Sequence, residues 1–450
     1  MGISWTVERS LKDRVANRES MMSASKQVPR KVGGQTRRDF VKTAGVAAGA
    51  SVLFARAPHV LGQEKPIRIG ASLSLTGKYA RTGEEEGRGY QLWADSINQQ
   101  GYSFGKKDLP NTSAKGLLGR PVELVILDDR SDPTTGVRLY NELIYNQKVD
   151  LLLGPYSSAV TNAVAPVLEQ AQIPTPNPMA SSTDIWTGRN LQWQVQIQPP
   201  ASKRLPGLTE TSAAHGDTTI AIIYEDTEFP RNSAEAIRDR ATKDGMEIVL
   251  DEAYPTKLTD WTPIIQRVTG SGAAVVAGGG YLPDAIGITR AVRSLGYKPH
   301  ILSLLVGVAL PDFEETLGQD ALTVTGDADW VTTVGFPGAQ EYIEAYHAKY
   351  GGMPEYHSAG GYGGAQILEE AVKRVGNITD LEKIRDTMYS LKTTTVFNLY
   401  EVAPLDSPDA GLQLAADRVM LQVQEEGGKL VKPVVAPEAA ASAEWIYPFA

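Results

Sequence analysis

Residues 149–182, VDLLLGPYSSAVTNAVAPVLEQAQIPTPNPMASS, decide the fold of this chain. An apolar run ends at Gly154-Pro155, a helical pattern covers Ala159 to Ala171, and extended chain resumes at Gln172. This order predicts a strand, a serine-capped helix, a second strand and a polar loop. Parallel strands joined by a helix place both post-strand loops at one sheet edge, where open α/β folds bind ligands. The stretch therefore predicts an α/β fold with a binding cleft at that edge.

The two loops of this stretch are rich in hydroxyl groups. The first contains Tyr156-Ser157-Ser158, and the second contains Met179-Ala180-Ser181-Ser182. Ser157 or Ser158 would stand at the helix N-terminus, where free N–H groups and the helix dipole favour an anion. Either serine could equally serve only to cap the helix. Two such loops side by side favour a binding cleft.

The first 62 residues are predicted to be an export signal. Arg37 and Arg38, in the run TRRDFVK, precede a short apolar segment, residues 44–54. That segment is too short and too rich in Ala and Gly to span a bilayer. The ordered set closely resembles a twin-arginine signal, which implies export of a folded protein to the periplasm by the twin-arginine translocase. Cleavage after Gly62 is preferred to cleavage after Ala57, and Met21 or Met22 could be the true start.

Charge and composition exclude several classes of function. The chain has 44 Lys/Arg and 53 Asp/Glu; residues 1–62 contain 11 and 4 of these, so the remainder has a net charge of −16. Such a surface disfavours non-specific binding to nucleic acid or anionic membrane. Cysteine is absent, which excludes disulfides and thiol chemistry. No metal or other cofactor is expected, because none of the five histidines has metal-ligand spacing: His59, His215, His300, His347 and His357. The four that follow residue 62 are predicted in loops or at the surface.

The rest of the chain alternates strands and helices in two series. The first series begins with a strand at Ile67–Leu73 and a helix at Glu84–Asn98 with acids in its first turn. The second begins after Pro199-Pro200 with a strand at Thr219–Tyr224. Because the alternation of strands and helices begins again after a proline pair, the sequence predicts two α/β lobes rather than one sheet.

Two further segments depart from this alternation. Tyr102 to Gly119 lacks periodicity and is predicted to be a surface insertion. Near the end of the chain, Arg418–Val423 and Leu430–Val435 alternate in polarity and predict a terminal strand pair.

The sequence offers no catalytic constellation. It has no Gly-x-Ser-x-Gly elbow and no metal-ligand or nucleotide-loop motif. The glycine cluster Gly360-Gly361-Tyr362-Gly363-Gly364 lacks the Lys-Ser/Thr of a phosphate loop, so close helix packing is favoured there. The glycines at Gly278–Gly280 do not have the spacing of a dinucleotide-binding motif. Asp128-Asp129 could be a carboxylate pair, but a solvated strand end is favoured. A binding protein is therefore predicted rather than an enzyme.

Four short segments, in their order and spacing, resemble the periplasmic solute-binding proteins of branched-chain amino acid ABC importers and their amide, urea and aromatic-acid relatives. They are IGASLSLTG at 69–77, DDRSDP at 128–133, LGPYSS at 153–158 and GGY at 279–281. The resemblance spans Ile67 to Val435. It implies a type I periplasmic binding protein fold, in which two Rossmann-like lobes with parallel sheets, joined by three crossing strands, close over a ligand. The implied lobes are residues 63–197 with 328–397, and residues 198–327 with 398–450.

The resemblance also implies ligand contacts. In this family a hydroxyl and backbone amides of the first lobe grip a carboxylate, and the matching residues are Ser158, the Met179 backbone and Ser181, with Tyr156, Ser157 and Ala180 in the same loops. Phe229 and Tyr281 match second-lobe contacts, and Thr82 falls where relatives often carry an aromatic residue. The acid that pairs with an α-ammonium aligns with Val306, although Asp184, Asp327 or Asp329 could replace it if the cleft folds differently.

These observations predict a periplasmic substrate-binding protein that delivers a small organic solute to an inner-membrane ABC permease. The expected ligand is a small carboxylate or amide, such as an aromatic acid or a relative of the branched-chain amino acids. The ligand-binding component of a signalling system is the alternative, because amide sensors share this fold. Fold alone does not decide between these classes.

Overall fold

The computed structural model of the protein describes residues 65–449. The predicted export signal, with Arg37 and Arg38, and His59 lie outside these residues. The strands are, in chain order, β1 Ile67–Leu73, β2 Val122–Asp128, β3 Leu151–Leu152, β4 Thr175–Asn177, β5 Gln194–Gln196, β6 Thr219–Glu225, β7 Glu247–Tyr254, β8 Val275–Gly279, β9 Ile301–Leu304, β10 Thr325–Ala328, β11 Thr393–Thr394, β12 Leu399–Tyr400, β13 Val419–Gln422, β14 Gln424–Glu426, β15 Lys429–Val431 and β16 Val434–Ala436. The α-helices are α1 Ala80–Gln100, α2 Pro133–Asn141, α3 Ser158–Ala171, α4 Leu208–Ala214, α5 Glu228–Lys243, α6 Thr262–Ser271, α7 Leu282–Ser294, α8 Pro311–Leu317, α9 Ala339–Tyr350, α10 Tyr356–Val375 and α11 Leu381–Ser390.

The first lobe is built on parallel strands. Its three-stranded sheet has the order β2-β1-β3, and β4 pairs in parallel with β5 beside it. Helix α1 packs along α10, which also contacts β4 and α11. Helices from late in the chain therefore complete a lobe that the first strands begin.

The second lobe contains a seven-stranded sheet of order β16-β13-β10-β9-β8-β6-β7. Strands β6 to β10 are parallel, and β13 and β16 add antiparallel strands at one edge. The interior strand β8 is buried along its whole length, as expected for a parallel strand covered on both faces. The structure confirms the predicted α/β class with two lobes, whereas the exact lobe boundaries remain a prediction.

The glycine cluster in α10 explains the close contact of that helix with α1. A Cβ at Gly361 would overlap the backbone oxygen of Glu86, and one at Gly89 would overlap the oxygen of Ser358. Residues without side chains thus let two backbones approach each other. The prediction of close helix packing at Gly360–Gly364 is confirmed.

The predicted terminal strand pair is confirmed in part: β13 pairs with β16, with Met420 facing Ala436 and Leu421 facing Val434, but the predicted second strand is divided between β15, which pairs with β14, and β16. The predicted surface insertion is wrong in part, since Ser103 and Lys106 are buried. The Ser103 N–H donates to Glu369 at 3.1 Å, and the Lys106 ammonium lies 2.6 Å from Glu370. The segment has no regular secondary structure, but side-chain pairs fix it to α10.

Helix α1 begins at Ala80, four residues before the predicted start, because the Thr82 and Gly83 N–H groups already bond to the Tyr79 carbonyl. The acids at 84–86 therefore lie beyond the first turn, and Glu85 and Glu86 are buried. No helix within residues 65–449 has the length and apolar character needed to cross a membrane.

Candidate ligand-binding site

A small cleft, with a cavity volume of about 20 Å³, lies between the two lobes. The lining residues are Tyr156, Ser157, Ser158, Met179, Ser181, Gln198, Arg204, Phe229, Tyr281, Val306, Tyr356 and His357. The structure thus brings together all predicted contact residues except Thr82 and Ala180, which are buried without lining the cleft.

The N-terminus of α3 supplies hydroxyl groups to the cleft. Ser157, at a φ of 78°, caps the helix because its Oγ accepts from the Val160 N–H at 3.3 Å. The Ser158 Oγ accepts from the Ser182 N–H at 3.0 Å and so joins the two predicted loops. Each hydroxyl still has a hydrogen to donate. Ser157 is therefore the cap, and both serines retain a donor for an anion at the positive end of the helix.

The hydroxyl group of Ser181 is fully used inside the protein. It donates to the Pro199 carbonyl at 3.0 Å and accepts from the guanidinium groups of Arg418 at 2.8 Å and Arg204 at 3.4 Å. A hydroxyl has one donor and two acceptor positions, so no capacity remains. Ser181 lines the cleft, but its oxygen holds the two arginines rather than facing a ligand as a free donor.

A buried charge cluster stands behind Ser181. Arg204 Nη1 donates to Asp327 at 3.0 Å, and Arg418 Nε lies 2.6 Å from Asp329. Burial alone would raise the pKa of Asp329, but Arg418 and Arg204 hold that pKa below its ordinary value. Burial and repulsion by Arg204 lower the pKa of Arg418 to about 10.

Two cations and two anions neutralise one another in this cluster, so Asp327 and Asp329 are already paired. The possibility that either would receive a ligand ammonium is therefore contradicted. Asp184 lies in a one-turn helix after Ser182 and does not line the cleft.

Aromatic rings form one wall of the cleft. The ring centroids of Phe229 and Tyr281 are 5.6 Å apart, and those of Tyr281 and Tyr79 are 4.6 Å apart. Tyr79, in the loop after β1, packs against Tyr281 from behind the wall and does not itself line the cleft. The hydroxyl of Thr82 donates to the Tyr79 carbonyl at 3.0 Å.

Direct contacts join the two lobes beside the cleft. Lys78, after β1, pairs with Glu225 at the end of β6, and Arg81 in α1 pairs with Asp312 in α8 at 3.0 Å. These residues come from different lobes, so the two lobes are in direct contact beside the cleft.

Four residues that line the cleft were not predicted from the sequence: Gln198, Arg204, Tyr356 and His357. Gln198 and Arg204 lie on either side of the proline pair, which was interpreted only as the point where the second series of strands and helices begins. His357 was expected in a loop or at the surface, but it is buried in α10, where its Nδ1 lies 2.8 Å from Glu355 and its Nε2 lies 3.3 Å from Tyr156. No periodicity signals such contacts, because they depend on segments that are far apart in the chain.

The remaining histidines fit the prediction better. His215 directly follows α4, His300 is half exposed just before β9, and His347 is exposed, although it lies in α9. Among residues 65–449, no group of three or more His, Asp or Glu could hold a metal ion.

Asp129 was predicted to lie at a solvated strand end, and this prediction is wrong. The side chain is fully buried, and its carboxylate accepts from Ser74 at 2.7 Å and Ser72 at 3.2 Å. Only Asp128 faces the loop, where it accepts from the Leu75 N–H at 3.0 Å. The two acids therefore do not form a paired carboxylate site.

A cleft between two α/β lobes is typical of proteins that enclose a small molecule. Comparison with known proteins agrees, since the model of the family described as "Periplasmic binding protein" matches residues 66–429. The chain belongs to this family, which is one of binding proteins rather than of enzymes, and whose name places its members outside the cytoplasm.

Curated and solved relatives carry related descriptions. The chain is 30% identical over 326 residues to the Leu/Ile/Val-binding protein homolog 8 of Brucella abortus (strain 2308), which covers 68% of this chain and 76% of the relative. A leucine-binding protein from Thermotoga maritima superposes with a TM-score of 0.70 at 20% identity, over 83% of this chain and 99% of that one. A solute-binding protein of an ABC transporter from Rhodopseudomonas palustris BisB5, in complex with 3,4-dihydroxybenzoic acid, also gives 0.70 at 20% identity, over 84% and 99%. At these identities the solved structures establish the shared fold.

Proposed function

We propose that this protein captures a small organic carboxylate or amide between its two lobes by hinged closure and delivers it to an inner-membrane ABC permease. One observation carries the proposal: the described residues that line the cleft include hydrogen-bond donors, namely the serine hydroxyls at the start of α3 and the guanidinium of Arg204, but no acidic side chain. Such a lining favours an oxygen-rich or anionic ligand.

The same lining argues against a ligand that must carry an α-ammonium. Burying an unpaired ammonium is costly, and the nearby acids Asp327 and Asp329 are already paired with arginines. The cleft also has apolar and aromatic surface from Val306, Phe229 and Tyr281, which favours binding of a ligand with a hydrocarbon chain or a ring. An aromatic acid is therefore the first candidate, and a branched-chain amino acid, suggested by the names of relatives, is the competitor.

Calorimetric titration with leucine, valine, benzoate, 4-hydroxybenzoate and a short amide tests this assignment. We expect the acids or the amide to bind. Micromolar or tighter binding of leucine or valine, together with no binding of the other compounds, would contradict the proposed ligand class.

Two substitutions test the location of the site. Ser158→Ala removes a donor at the start of α3, and we expect it to weaken binding by about 1–3 kcal/mol. Tyr281→Ala removes part of the aromatic wall and should also weaken binding while the protein stays folded. Unchanged affinity in both variants would place the ligand elsewhere.

Closure is tested by small-angle scattering with and without ligand. A ligand that touches both lobes stabilises the closed form only by its differential affinity for that form. We expect a smaller radius of gyration at saturation than in the open population without ligand. An identical radius, with binding shown by calorimetry, would remove hinged closure from the proposal.

Export through the twin-arginine translocase is part of the same proposal and rests on the ordered basic and apolar set around Arg37 and Arg38. Changing both arginines to lysine should leave an uncleaved form in the cytoplasm. A processed periplasmic protein in normal amount would show that another route is used.

A further inference from the structure

Two buried polar atoms at the cleft lack a hydrogen-bond partner among residues 65–449. They are the Nε of Arg204 and the hydroxyl oxygen of Tyr356. The two residues are 1% and 2% exposed, and both line the cleft. Leaving a buried donor unpaired costs about 1–3 kcal/mol, so such atoms are rare in native proteins.

Neighbouring contacts fix the orientation of Arg204. Its Nη1 donates to Asp327 at 3.0 Å and its Nη2 to Ser181 at 3.4 Å, while the guanidinium carbon lies 4.8 Å from the centre of the Phe229 ring. These contacts occupy the terminal nitrogens and one face of the group. The edge that bears Nε–H remains without a partner, and the planar guanidinium cannot turn without breaking the pair with Asp327.

Tyr356 stands at the first position of α10, and its ring stacks on His357 with the centroids 3.9 Å apart. Burial and the nearby carboxylate of Asp329 hold the pKa of Tyr356 well above its ordinary value. The phenol therefore keeps its proton and acts as a hydrogen-bond donor. Its O–H and the Arg204 Nε–H are donors from different lobes that line one cleft.

We propose that Arg204 and Tyr356 form a second polar subsite, separate from the serines of α3, that binds an oxygen atom of the ligand. The inference rests on the proposed function, in which the serine end takes a carboxylate. Arg204, Arg418, Asp327 and Asp329 together carry no net charge, so this subsite calls for a neutral acceptor. The ligand class is then a compact acid with a hydroxyl or carbonyl group in addition to its carboxylate.

Matched ligand pairs and one conservative substitution test the subsite. The pairs are 4-hydroxybenzoate with benzoate, and 4-oxopentanoate with pentanoate, each titrated calorimetrically. In at least one pair, we expect the oxygenated acid to bind about tenfold more tightly, as for one or two added hydrogen bonds. Tyr356→Phe should remove most of that preference and leave the plain acid within about twofold of its original affinity.

Tyr342→Phe is the matched control, because Tyr342 is also a buried tyrosine but does not line the cleft. It should leave both affinities unchanged. Thermal melting of the ligand-free variants checks folding, and Tyr356→Phe should melt no lower than the wild type because the lost hydroxyl has no protein partner.

The outcomes separate the two proposals. If none of these acids binds, a simple aromatic or aliphatic acid is refuted as the ligand, and the subsite with it, whereas the amide of the first titration still tests the proposed function. If acids bind but the oxygenated member of neither pair is preferred, or Tyr356→Phe weakens both members equally, the subsite is refuted while the binding function stands. Tighter binding of 1,4-benzenedicarboxylate than of 4-hydroxybenzoate would overturn the assignment of a neutral group.

Discussion

Replacing Asp129 with asparagine should stabilise the protein near neutral pH. The carboxyl group is 0% exposed beyond the end of β2, where it accepts from Ser74, Ser72 and the Ser131 N–H. Burial raises its pKa from 3.8 to about 6 in spite of these hydrogen bonds. The native protein therefore binds this proton more tightly than the unfolded chain does. Its contribution to stability is complete below about pH 4 and is lost as the pH rises through about 6.

The size of the effect follows from the pKa. A difference of about two pKa units corresponds to about 3 kcal/mol, which is the upper limit of the gain for Asp129→Asn at pH 7.5. The amide oxygen can still accept from Ser74 and the Ser131 N–H. The amide nitrogen can donate to Ser72, whose hydroxyl rotates to accept. The shape and hydrogen bonds are kept, and only the charge is removed.

Urea unfolding of both proteins at pH 4.5, 6 and 7.5 measures the difference in unfolding free energy. The difference should grow in favour of the variant as the pH rises. Asp128→Asn is the control, because this neighbouring carboxylate accepts from loop N–H groups at Leu75 and Arg130, and its loss should destabilise by roughly 1 kcal/mol. A difference for Asp129→Asn that does not change with pH, or a less stable variant at pH 7.5, would refute the reasoning.

Two other predictions concern packing and closure. Gly361→Ala should destabilise by about 2 kcal/mol or more in urea unfolding, because its Cβ would overlap the Glu86 backbone. Gly270→Ala, also in a helix but with nothing near its Cβ, should be neutral or up to about 1 kcal/mol stabilising, and equal effects would contradict the packing argument. Lys78→Met should leave the buried carboxylate of Glu225 unpaired in the closed form and so weaken ligand binding, while adding Glu225→Gln should restore part of the affinity. Titration calorimetry measures both variants, and unchanged affinity for the single variant would show that this ion pair does not favour closure.

Strongly periodic segments were predictable from the sequence. Strand Ile67–Leu73 has the predicted bounds, because an apolar run between turn residues leaves few alternatives. The serine-rich loops around Ser158 and Ser181 were also predicted to meet, since parallel strands direct them to one edge.

The buried polar groups were not predictable in the same way. Asp129 follows a strand and precedes turn residues, which usually indicates exposure. It is buried because Ser72 and Ser74 from the neighbouring strand β1 and its following loop surround it. Arg204 follows a proline pair, and its partner Asp327 lies 123 residues further along the chain. Local pattern carries no information about such distant pairing, which depends on how the lobes are assembled.

The packing of α1 on α10 has a consequence for biosynthesis. The interior of the first lobe stays incomplete until residues 356–375 have left the ribosome, and the sheet of the second lobe lacks β13 and β16 until the chain is nearly finished. A nascent chain of 300 residues would contain strands β1 to β8 but would lack α10 and strands β9, β10, β13 and β16. Native folding is therefore completed only after most of the chain has been translated, and shorter products would expose apolar surface that chaperones and proteases recognise.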